Sequence, residues 1–297
     1  MLKKSRTIKR AVSTSGVGLF TGKRVGMRLC PFEEGEGIVF QRMDLPLQPK
    51  IPARLEYVKE TPRTTILGKD GVTVQTVEHL VATLHAFSID QILIQINGPE
   101  IPIFDGSALQ LVSLIEEAGT KELDTWQKEI KIDAPFFWSS GDIFLIALPS
   151  DELRLSYTLH CPHVPMIGTQ FTSFIIEQES FAREIAPCRT FSIYEEIAPL
   201  IKEGGLKGGS IDNAIVIKEG KLLNSDGLRF PNEMARHKIL DLLGDLSLIP
   251  PFIAHVIGIR SGHSSNYAFA KELNAHICTR LAQEKKETAM AAHGGVQ

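Results

Sequence analysis

The sequence has few cysteines, a nearly balanced charge and no long apolar run, and each absence argues against a class of protein. The four cysteines among 297 residues are widely spaced and form no C-x-x-C pair. This spacing predicts free, buried thiols in a cytoplasmic protein and argues against a disulfide framework or a cysteine zinc site. The basic segment MLKKSRTIKR is followed by no apolar run of signal-peptide length, so we expect no secretion signal.

Neither a transmembrane helix nor a nucleic-acid partner is predicted. The longest apolar stretch lies near Leu246–Ile259, is interrupted by Pro250 and Pro251, and is too short to span a bilayer. The formal net charge is −3, so nucleic acid gains no general electrostatic attraction. The composition, with 43% hydrophobic and 23% charged residues, is that of a globular protein with one large domain or two smaller ones.

Short apolar or alternating runs are interspersed with segments of helical spacing, which predicts an α+β or α/β protein. The expected strands are Val25–Cys30, Gly37–Gln41, Gln91–Asn97, Asp142–Ala147, Leu153–Leu159, Ala214–Lys218 and Phe252–Ile259. The expected helices are Thr76–Phe87, Ala108–Ala118, Glu177–Ile185, Tyr194–Lys202, Glu233–Ser247 and about Ser264–Lys285. A polar stretch, TKELDTWQKE, interrupts this pattern. We therefore predict domains over residues 1–125 and 126–282 and a disordered tail over 283–297.

A weak internal repeat favours two similar halves. In each half a helix with a histidine leads to a strand, and a glycine-containing loop then opens another helix. His79 and Gly106 lie 27 positions apart in the first half, and His237 and Gly262 lie 25 apart in the second. The shared order, element types and spacing predict a duplication.

One predicted helix carries the most informative polar pattern of the chain. At about 100° per residue, His237, Asp241 and Asp245 fall on one face of this helix, and its leucines fall on the other. A histidine and an aspartate one turn apart can hold a metal ion between them. The alternative is a solvated polar face of an amphipathic helix.

Two further segments offer groups for the same chemistry. Glu78 and His79 adjoin on a second amphipathic helix and can supply a base and a ligand, unless they are an ordinary surface pair. His263, in the small-residue loop SGHSSN, can donate a proton to a leaving amine. Its structural alternative is a histidine bonded to the backbone at a helix start. Two histidines and one carboxylate leave a coordination position open for water, as catalytic zinc requires.

The same ligand types occur in two other classes of protein. Non-haem Fe(II) oxygenases also use two histidines and a carboxylate, but on a β-barrel and with an H-x-D pair. A zinc-stabilised binding module is the non-catalytic alternative, and it needs neither Glu78 nor His263.

Several motifs together closely resemble one family, the UDP-3-O-acyl-N-acetylglucosamine deacetylases of lipid A biosynthesis. The resemblance runs from about residue 5 to residue 280 and keeps the family's order. The motifs are TVEHL, NGPEIPIFDGSA, CRTF, GLRFPNEMARHKILDLLGDL and SGHSSN, with GVGLFTGK resembling the family's N-terminal turn. It implies an α+β fold of two similar domains, each a small sheet packed with helices, with the helices facing each other at the interface.

The resemblance also implies the activity and the site. The expected reaction is hydrolysis of the N-acetyl group of an acylated UDP-sugar by a Zn²⁺ enzyme, with Fe²⁺ as the alternative metal in the cell and no particular oligomer. The implied ligands are His79, His237 and Asp241. The implied catalytic residues are Glu78 as base, His263 as acid, Thr190 at the oxyanion, Lys238 near charged substrate groups and Asp245 orienting His263. The implied substrate contacts are Phe191, Lys238 and Gly209, the last within the segment 193–216 expected to line an acyl-chain passage.

The chain departs from the family at two places. Phe20 stands in GVGLFTGK where the family often has histidine, and Lys207 stands in GGLKGGS where an apolar residue is expected. Both positions bear on acyl-chain preference, and neither is an implied metal ligand.

Overall fold

The computed structural model describes the backbone of residues 2–293 and the side chains of residues 2–280. Strands and helices follow one another in a mixed order in the first half of the chain. Its elements are β1 (Leu2–Ile8), β2 (Val12–Val17), β3 (Arg24–Pro31), β4 (Ile38–Arg42), β5 (Lys50–Pro52), β6 (Val58–Glu60), β7 (Ile66–Lys69), β8 (Val72–Gln75), α1 (Glu78–Ala86), β9 (Ile92–Ile96), α2 (Leu109–Ala118) and β10 (Thr120–Lys128).

The second half has a similar order of strands and helices, with a longer segment before the helix that carries His237. Its elements are β11 (Ile130–Lys131), β12 (Phe136–Ser140), β13 (Ile143–Leu148), β14 (Arg154–Cys161), β15 (Gly168–Ile175), α3 (Gln178–Ser180), β16 (Phe191–Ile193), α4 (Tyr194–Lys202), β17 (Ile215–Lys218), β18 (Lys221–Leu222), α5 (Glu233–Leu246), β19 (Phe252–Ile253), β20 (His255–Ile259) and α6 (His263–His293).

Each half contains a five-stranded sheet, and the two sheets have the same topology. Their strand orders are β2-β3-β9-β4-β5 and β12-β13-β20-β14-β15. In each sheet the last strand of the sequence lies at the centre, antiparallel to one neighbour and parallel to the other. In each half a helix, α1 or α5, precedes this central strand, and another, α2 or α6, follows it. The predicted duplication and the predicted pair of similar α+β domains are both confirmed.

The helices of the two domains face each other between the sheets, as the resemblance implied. One buried cluster joins the inward residues of both sheets, such as Ile94 and Val256, to those of α1 and α5, such as Leu80 and Leu240. Full burial of such a side chain contributes about 1.5–3 kcal/mol. The alternation of buried and half-buried residues along β9 reflects a strand with one face on this core.

The predicted helices and strands are confirmed in type, with three differences in detail. The helix expected at Glu177–Ile185 is α-helical only over α3 and continues as a π-helix over Phe181–Ile185. The strand expected at Phe252–Ile259 is divided at Ala254, because β19 pairs with β11 whereas β20 joins the second sheet. The polar stretch TKELDTWQKE forms β10, which pairs antiparallel with β1. Strand β10 is largely exposed, so its sequence lacks the apolar alternation that marks a strand with a buried face.

The cysteines are free thiols, as predicted, but not all of them are buried. Cys161 and Cys188 are buried, Cys30 is half-buried and Cys278 is exposed on α6. The prediction of buried thiols is therefore wrong for Cys278, which lies on the solvent side of its helix.

The domain limits stay predictions. Position 125 falls inside β10, and the backbone of residues 283–293 continues α6. The remainder of the expected tail, residues 294–297, lies outside the described residues.

Candidate active site

A cavity of about 650 Å³ opens between the two domains. It is bounded by the N-terminal end of α1, one face of α5 and the first residues of α6. Glu78, His79, Lys238, Asp241 and His263 all line it. The fold therefore brings together the candidate residues of both halves of the chain.

Within the described part of the chain, one group of side chains has the composition and spacing of a metal site. Its members are His79, His237 and Asp241, whose ligand atoms all lie within 4.8 Å of one another. Asp241 Oδ1 is 3.3 Å from His237 Nε2 and 3.8 Å from His79 Nε2. All three residues are buried. The alternatives of a solvated helix face and an ordinary surface pair are therefore wrong.

The protonation states of this group suit a divalent metal ion. The pKa of His79 is lowered to about 3 and that of His237 is also lowered, in both cases chiefly by burial, so both rings are neutral. His237 Nδ1 donates to the carbonyl oxygen of Cys188 (3.0 Å), which leaves Nε2 free for a metal. Burial opposes ionisation of Asp241, but Lys238 and the nearby histidines hold the pKa of that carboxyl below its usual range. The residues present thus fit a metal ion.

Glu78 lies beside this group as an anchored carboxylate. Its Oε1 accepts a hydrogen bond from the Thr64 hydroxyl (2.8 Å), and its Oε2 accepts one from the backbone N–H of Thr65 (3.1 Å). Burial, together with Asp245 and Asp241, raises the pKa of Glu78 to about 7, although His263 opposes this rise. A carboxyl with a pKa near neutrality is suited to take up a proton.

His263 lies in the first turn of α6, where nearby carboxylates favour the protonated form of its ring. Burial alone would lower the pKa of its imidazole, but Asp245, at 2.8 Å from Nδ1, is the main cause that raises it to about 9. Asn266 also donates to Asp245 Oδ2 (2.9 Å), and Thr65 donates to Asp245 Oδ1 (2.6 Å). His263 Nε2 faces Glu78 Oε1 at 3.8 Å. The alternative of a histidine bonded only to local backbone is wrong.

The close approach of α1 and α5 depends on a glycine inside a helix. A Cβ at Gly244 would lie 2.3 Å from the carbonyl oxygen of Glu78. The absence of that side chain lets the first turn of α1 pack against α5 between Asp241 and Asp245. His79 and Glu78 are thereby held next to the residues of the other domain.

Thr190 is placed at the cavity by contacts from both domains. Its backbone N–H donates to the carbonyl oxygen of Gly106 in the first domain (2.8 Å). Gly106 has a φ of +82°, and a Cβ there would lie 2.1 Å from the carbonyl oxygen of Asn213. The neighbouring Arg189 is fixed by a buried ion pair with Glu233, with Nε 2.9 Å from Oε1. Thr190 therefore lies on a fixed segment that lines the cavity.

Lys238 adjoins the candidate metal group on the second-domain side, and Phe191 lies beside Lys238. Lys238 Nζ donates to Asp241 Oδ2 (2.8 Å) and lies 5.5 Å from the centre of the Phe191 ring. Burial opposes the charge on Lys238, but Asp241 raises the pKa of the ammonium above its ordinary value. A cation is thus retained at the cavity wall.

The cavity is lined by both apolar and polar side chains. The apolar ones include Leu19, Phe20, Ile193, Ile197 and Leu206. The polar ones include Thr61, Arg63, Ser140, Arg260, Ser261 and Ser264. An amphiphilic molecule with an alkyl portion and an anionic portion matches this mixed lining.

Glu100 supports the site from outside the cavity lining, and the sequence analysis missed it. It is fully buried and accepts hydrogen bonds from the backbone N–H groups of Phe20 and Thr21 and from the Thr21 hydroxyl (2.8, 2.8 and 2.6 Å). It thereby fixes the turn GVGLFTGK at the cavity. The signal was a carboxylate between apolar residues in NGPEIPIF.

The two positions at which the chain departs from the family pattern, Phe20 and Lys207, are in contact through their backbones. The backbone N–H of Lys207 donates to the carbonyl oxygen of Phe20 (3.2 Å), and that of Gly208 donates to Leu19 (3.0 Å). Phe20 lines the cavity, whereas the Lys207 side chain is exposed. Gly209 is also exposed and is not among the lining residues, so its assignment to substrate binding stays a prediction.

The fold and the site together define a two-domain α+β protein whose domain interface holds a histidine–aspartate group that could bind a metal ion, with Glu78 and His263 beside it. The sequence model of the UDP-3-O-acyl N-acetylglycosamine deacetylase family matches residues 5–275. The chain belongs to this family.

Curated relatives named UDP-3-O-acyl-N-acetylglucosamine deacetylase agree with this assignment. The protein of that name from Chlamydia pneumoniae is 47% identical over 270 residues, which cover 90% of this chain and 96% of the relative. That of Chlamydia felis is 47% identical over 269 residues, with the same coverage. That of Chlamydia trachomatis serovar L2 is 46% identical over 269 residues, or 94% of its length. Among the described residues, no helix is both long and apolar enough to cross a membrane.

Proposed function

We propose that this protein is a zinc-dependent hydrolase that removes the N-acetyl group from UDP-3-O-acyl-N-acetylglucosamine and releases acetate and the free amine. The reaction is a committed step of lipid A biosynthesis. The observation that carries the proposal is the buried group of His79, His237 and Asp241 beside two groups of opposite protonation, Glu78 and His263. The names of the relatives support the substrate.

The proposed metal site consists of the two histidines and Asp241. A bound zinc ion supplies Lewis-acid chemistry there, which acidifies water and polarises a carbonyl oxygen. The neutral rings of His79 and His237 and the ionised Asp241 are the states that ligation requires.

The proton transfers are assigned to Glu78 and His263. Glu78 accepts a proton from the attacking water, and the imidazolium Nε2 of His263 donates a proton to the leaving amine nitrogen. A pKa of about 7 for Glu78 and about 9 for His263 leaves the histidine charged while a large fraction of the carboxyl is ionised near neutral pH. The two groups can therefore be in opposite states at once.

The remaining residues bind and orient. The Thr190 hydroxyl donates to the oxygen on which negative charge develops, where a preorganised donor contributes most. Lys238 is assigned to an anionic part of the substrate, and Phe191 to the sugar. The apolar lining residues, such as Ile197 and Leu206, suit the acyl chain.

A cytoplasmic location is part of the proposal, supported by the four free cysteines. Two alternative functions can be distinguished from the proposed hydrolysis by experiment. An Fe²⁺ oxygenase would consume oxygen, and a non-catalytic zinc module would make no use of Glu78 and His263, which the fold holds 3.8 Å apart.

The test combines metal analysis with acetate release from UDP-3-O-acyl-N-acetylglucosamine by the purified protein. We expect about one zinc or iron ion per chain and equimolar release of acetate and amine. Release of acetate without bound metal would contradict the metal dependence. Absence of acetate release from the metal-loaded protein would contradict the proposed function.

A further inference from the structure

Two adjacent threonines of the first domain contact carboxylates on both sides of the candidate site. Thr64 donates its hydroxyl to Glu78 Oε1 (2.8 Å). Thr65 donates its backbone N–H to Glu78 Oε2 (3.1 Å) and its hydroxyl to Asp245 Oδ1 (2.6 Å). Both threonines are 2% exposed, so water does not replace these donors.

These hydrogen bonds leave neither carboxylate free to rotate. Each oxygen of Glu78 accepts a donor from a different threonine. Asp245 accepts Thr65 at Oδ1, and His263 and Asn266 at Oδ2. Thr65 is therefore hydrogen-bonded both to the proposed base, Glu78, and to Asp245, which in turn holds the proposed acid, His263.

The segment that carries the threonines is itself fixed at both ends. Thr61 is hydrogen-bonded through its hydroxyl to the Ser264 hydroxyl in the first turn of α6 (3.0 Å). Directly after Thr65 the chain enters β7, which pairs on both sides. A donor on such a segment can hold a partner at a defined position.

We propose that Thr64 and Thr65 are positioning residues for the deacetylation. Thr64 orients the base Glu78, and Thr65 links that base to Asp245 and so sets the 3.8 Å separation of Glu78 Oε1 and His263 Nε2. The inference rests on the proposed function. It adds that the acid and the base, which come from different domains, are aligned by one dipeptide.

The two hydroxyls act by donating hydrogen bonds to buried carboxylates, so valine, which has the same shape but no donor, is the informative substitution. Loss of a hydrogen bond to a charged group in a buried site reduces the corresponding equilibrium or rate by about 10–10²-fold. We expect Thr65→Val to lower kcat by about this factor and to change KM less than about threefold, because the substrate-binding walls are untouched. Serine keeps the donor, so Thr65→Ser is expected to retain most of kcat.

The experiment compares Thr65→Val, Thr65→Ser and Thr64→Val with the wild-type protein. Thr7→Val is the matched control, because Thr7 is also fully buried and its hydroxyl also has a hydrogen bond, but it lies on β1 away from the cavity. Metal content and thermal unfolding are measured for every variant. We expect full metal content in all of them and lowered kcat only in the two valine variants of the site.

A double-mutant cycle separates positioning from a general loss of packing. If Thr65 acts through Asp245, the Thr65→Val substitution should lower kcat by a much smaller factor in an Asp245→Asn background than in the wild-type protein. A crystal structure of Thr65→Val should show the Asp245 carboxylate and the His263 ring rotated from their wild-type positions.

Three results would overturn the inference while leaving the proposed function intact. These are wild-type kcat in Thr65→Val, an equal loss in Thr65→Ser, or additive effects in the cycle. An inactive wild-type protein would instead contradict the proposed function.

Discussion

Replacement of Gly244 by alanine tests whether the approach of α1 and α5 sets the catalytic geometry. A Cβ at this position would lie 2.3 Å from the carbonyl oxygen of Glu78 and 2.9 Å from its Cα, whereas ordinary contact begins at 3.4 Å. Because the obstructing atoms are backbone, they cannot rotate away. The two helices must separate by about 1 Å, which is the difference between the 2.3 Å approach to the carbonyl oxygen and the 3.4 Å of ordinary contact.

The effect on activity should exceed the effect on stability. Overpacking costs about 1–3 kcal/mol, and alanine in a helix interior regains about 1 kcal/mol relative to glycine. The net loss is at most about 2 kcal/mol, so the protein still folds at 25 °C. A 1 Å displacement of reacting groups, in contrast, costs about 10²-fold in rate. The displaced first turn carries both Glu78 and His79, so weaker metal retention is also expected.

The assay is acetate release at saturating substrate, with metal content and thermal unfolding measured on the same preparation. Gly26→Ala is the control, because a Cβ on that β3 glycine would meet its nearest neighbour at an ordinary 3.4 Å. Activity of Gly244→Ala within twofold of wild type, with full metal content, would refute the reasoning.

Four other outcomes follow from the site. His79→Ala should lose most bound metal and activity, because removal of one of three ligands opens the group to water; full occupancy would remove His79 from the ligand set. Removal of metal with a chelator should abolish acetate release, and one equivalent of Zn²⁺ should restore it; activity in the metal-free protein would contradict this. Glu78→Ala should keep the metal but lose about 10²–10⁴-fold in kcat; metal loss would make Glu78 a ligand. Asp245→Asn should move the alkaline limb of the pH–rate profile to lower pH, because Asp245 raises the pKa of His263 and the protonated form is needed. An unchanged limb would mean that His263 is not the acid.

Much of this site could be predicted from the sequence because its chemistry is local to short motifs. The spacing of His237 and Asp241 places them one helical turn apart, and the structure confirms that both reach the same group. Glu78 and His79 adjoin in the chain, so any fold that buries one brings the other near. The pairing of His263 with Asp245 was implied by the family resemblance, and Asp245 lies on the same helical face as His237 and Asp241.

The supporting residues could not be predicted, because their roles arise only from tertiary contacts. Threonine is a common residue, and nothing in PRTTIL indicates that Thr65 lies against Asp245, 180 positions away. Strand β10 was missed for a different reason: it is largely exposed, so no buried face imposes alternation on it. Long-range pairing and register are the information that one sequence lacks.

The duplication explains why the site lies between domains rather than within one. Equivalent helices α1 and α5 supply His79 from one domain and His237 with Asp241 from the other, so neither domain holds all three donors. The domains are also joined by the backbone bond from Thr190 to Gly106 and by the pairing of segments 207–208 and 19–20. A ligand that binds only the docked state stabilises that state, so metal binding and domain docking must reinforce each other. Substitutions at the domain interface should therefore weaken metal retention even where they contact no ligand.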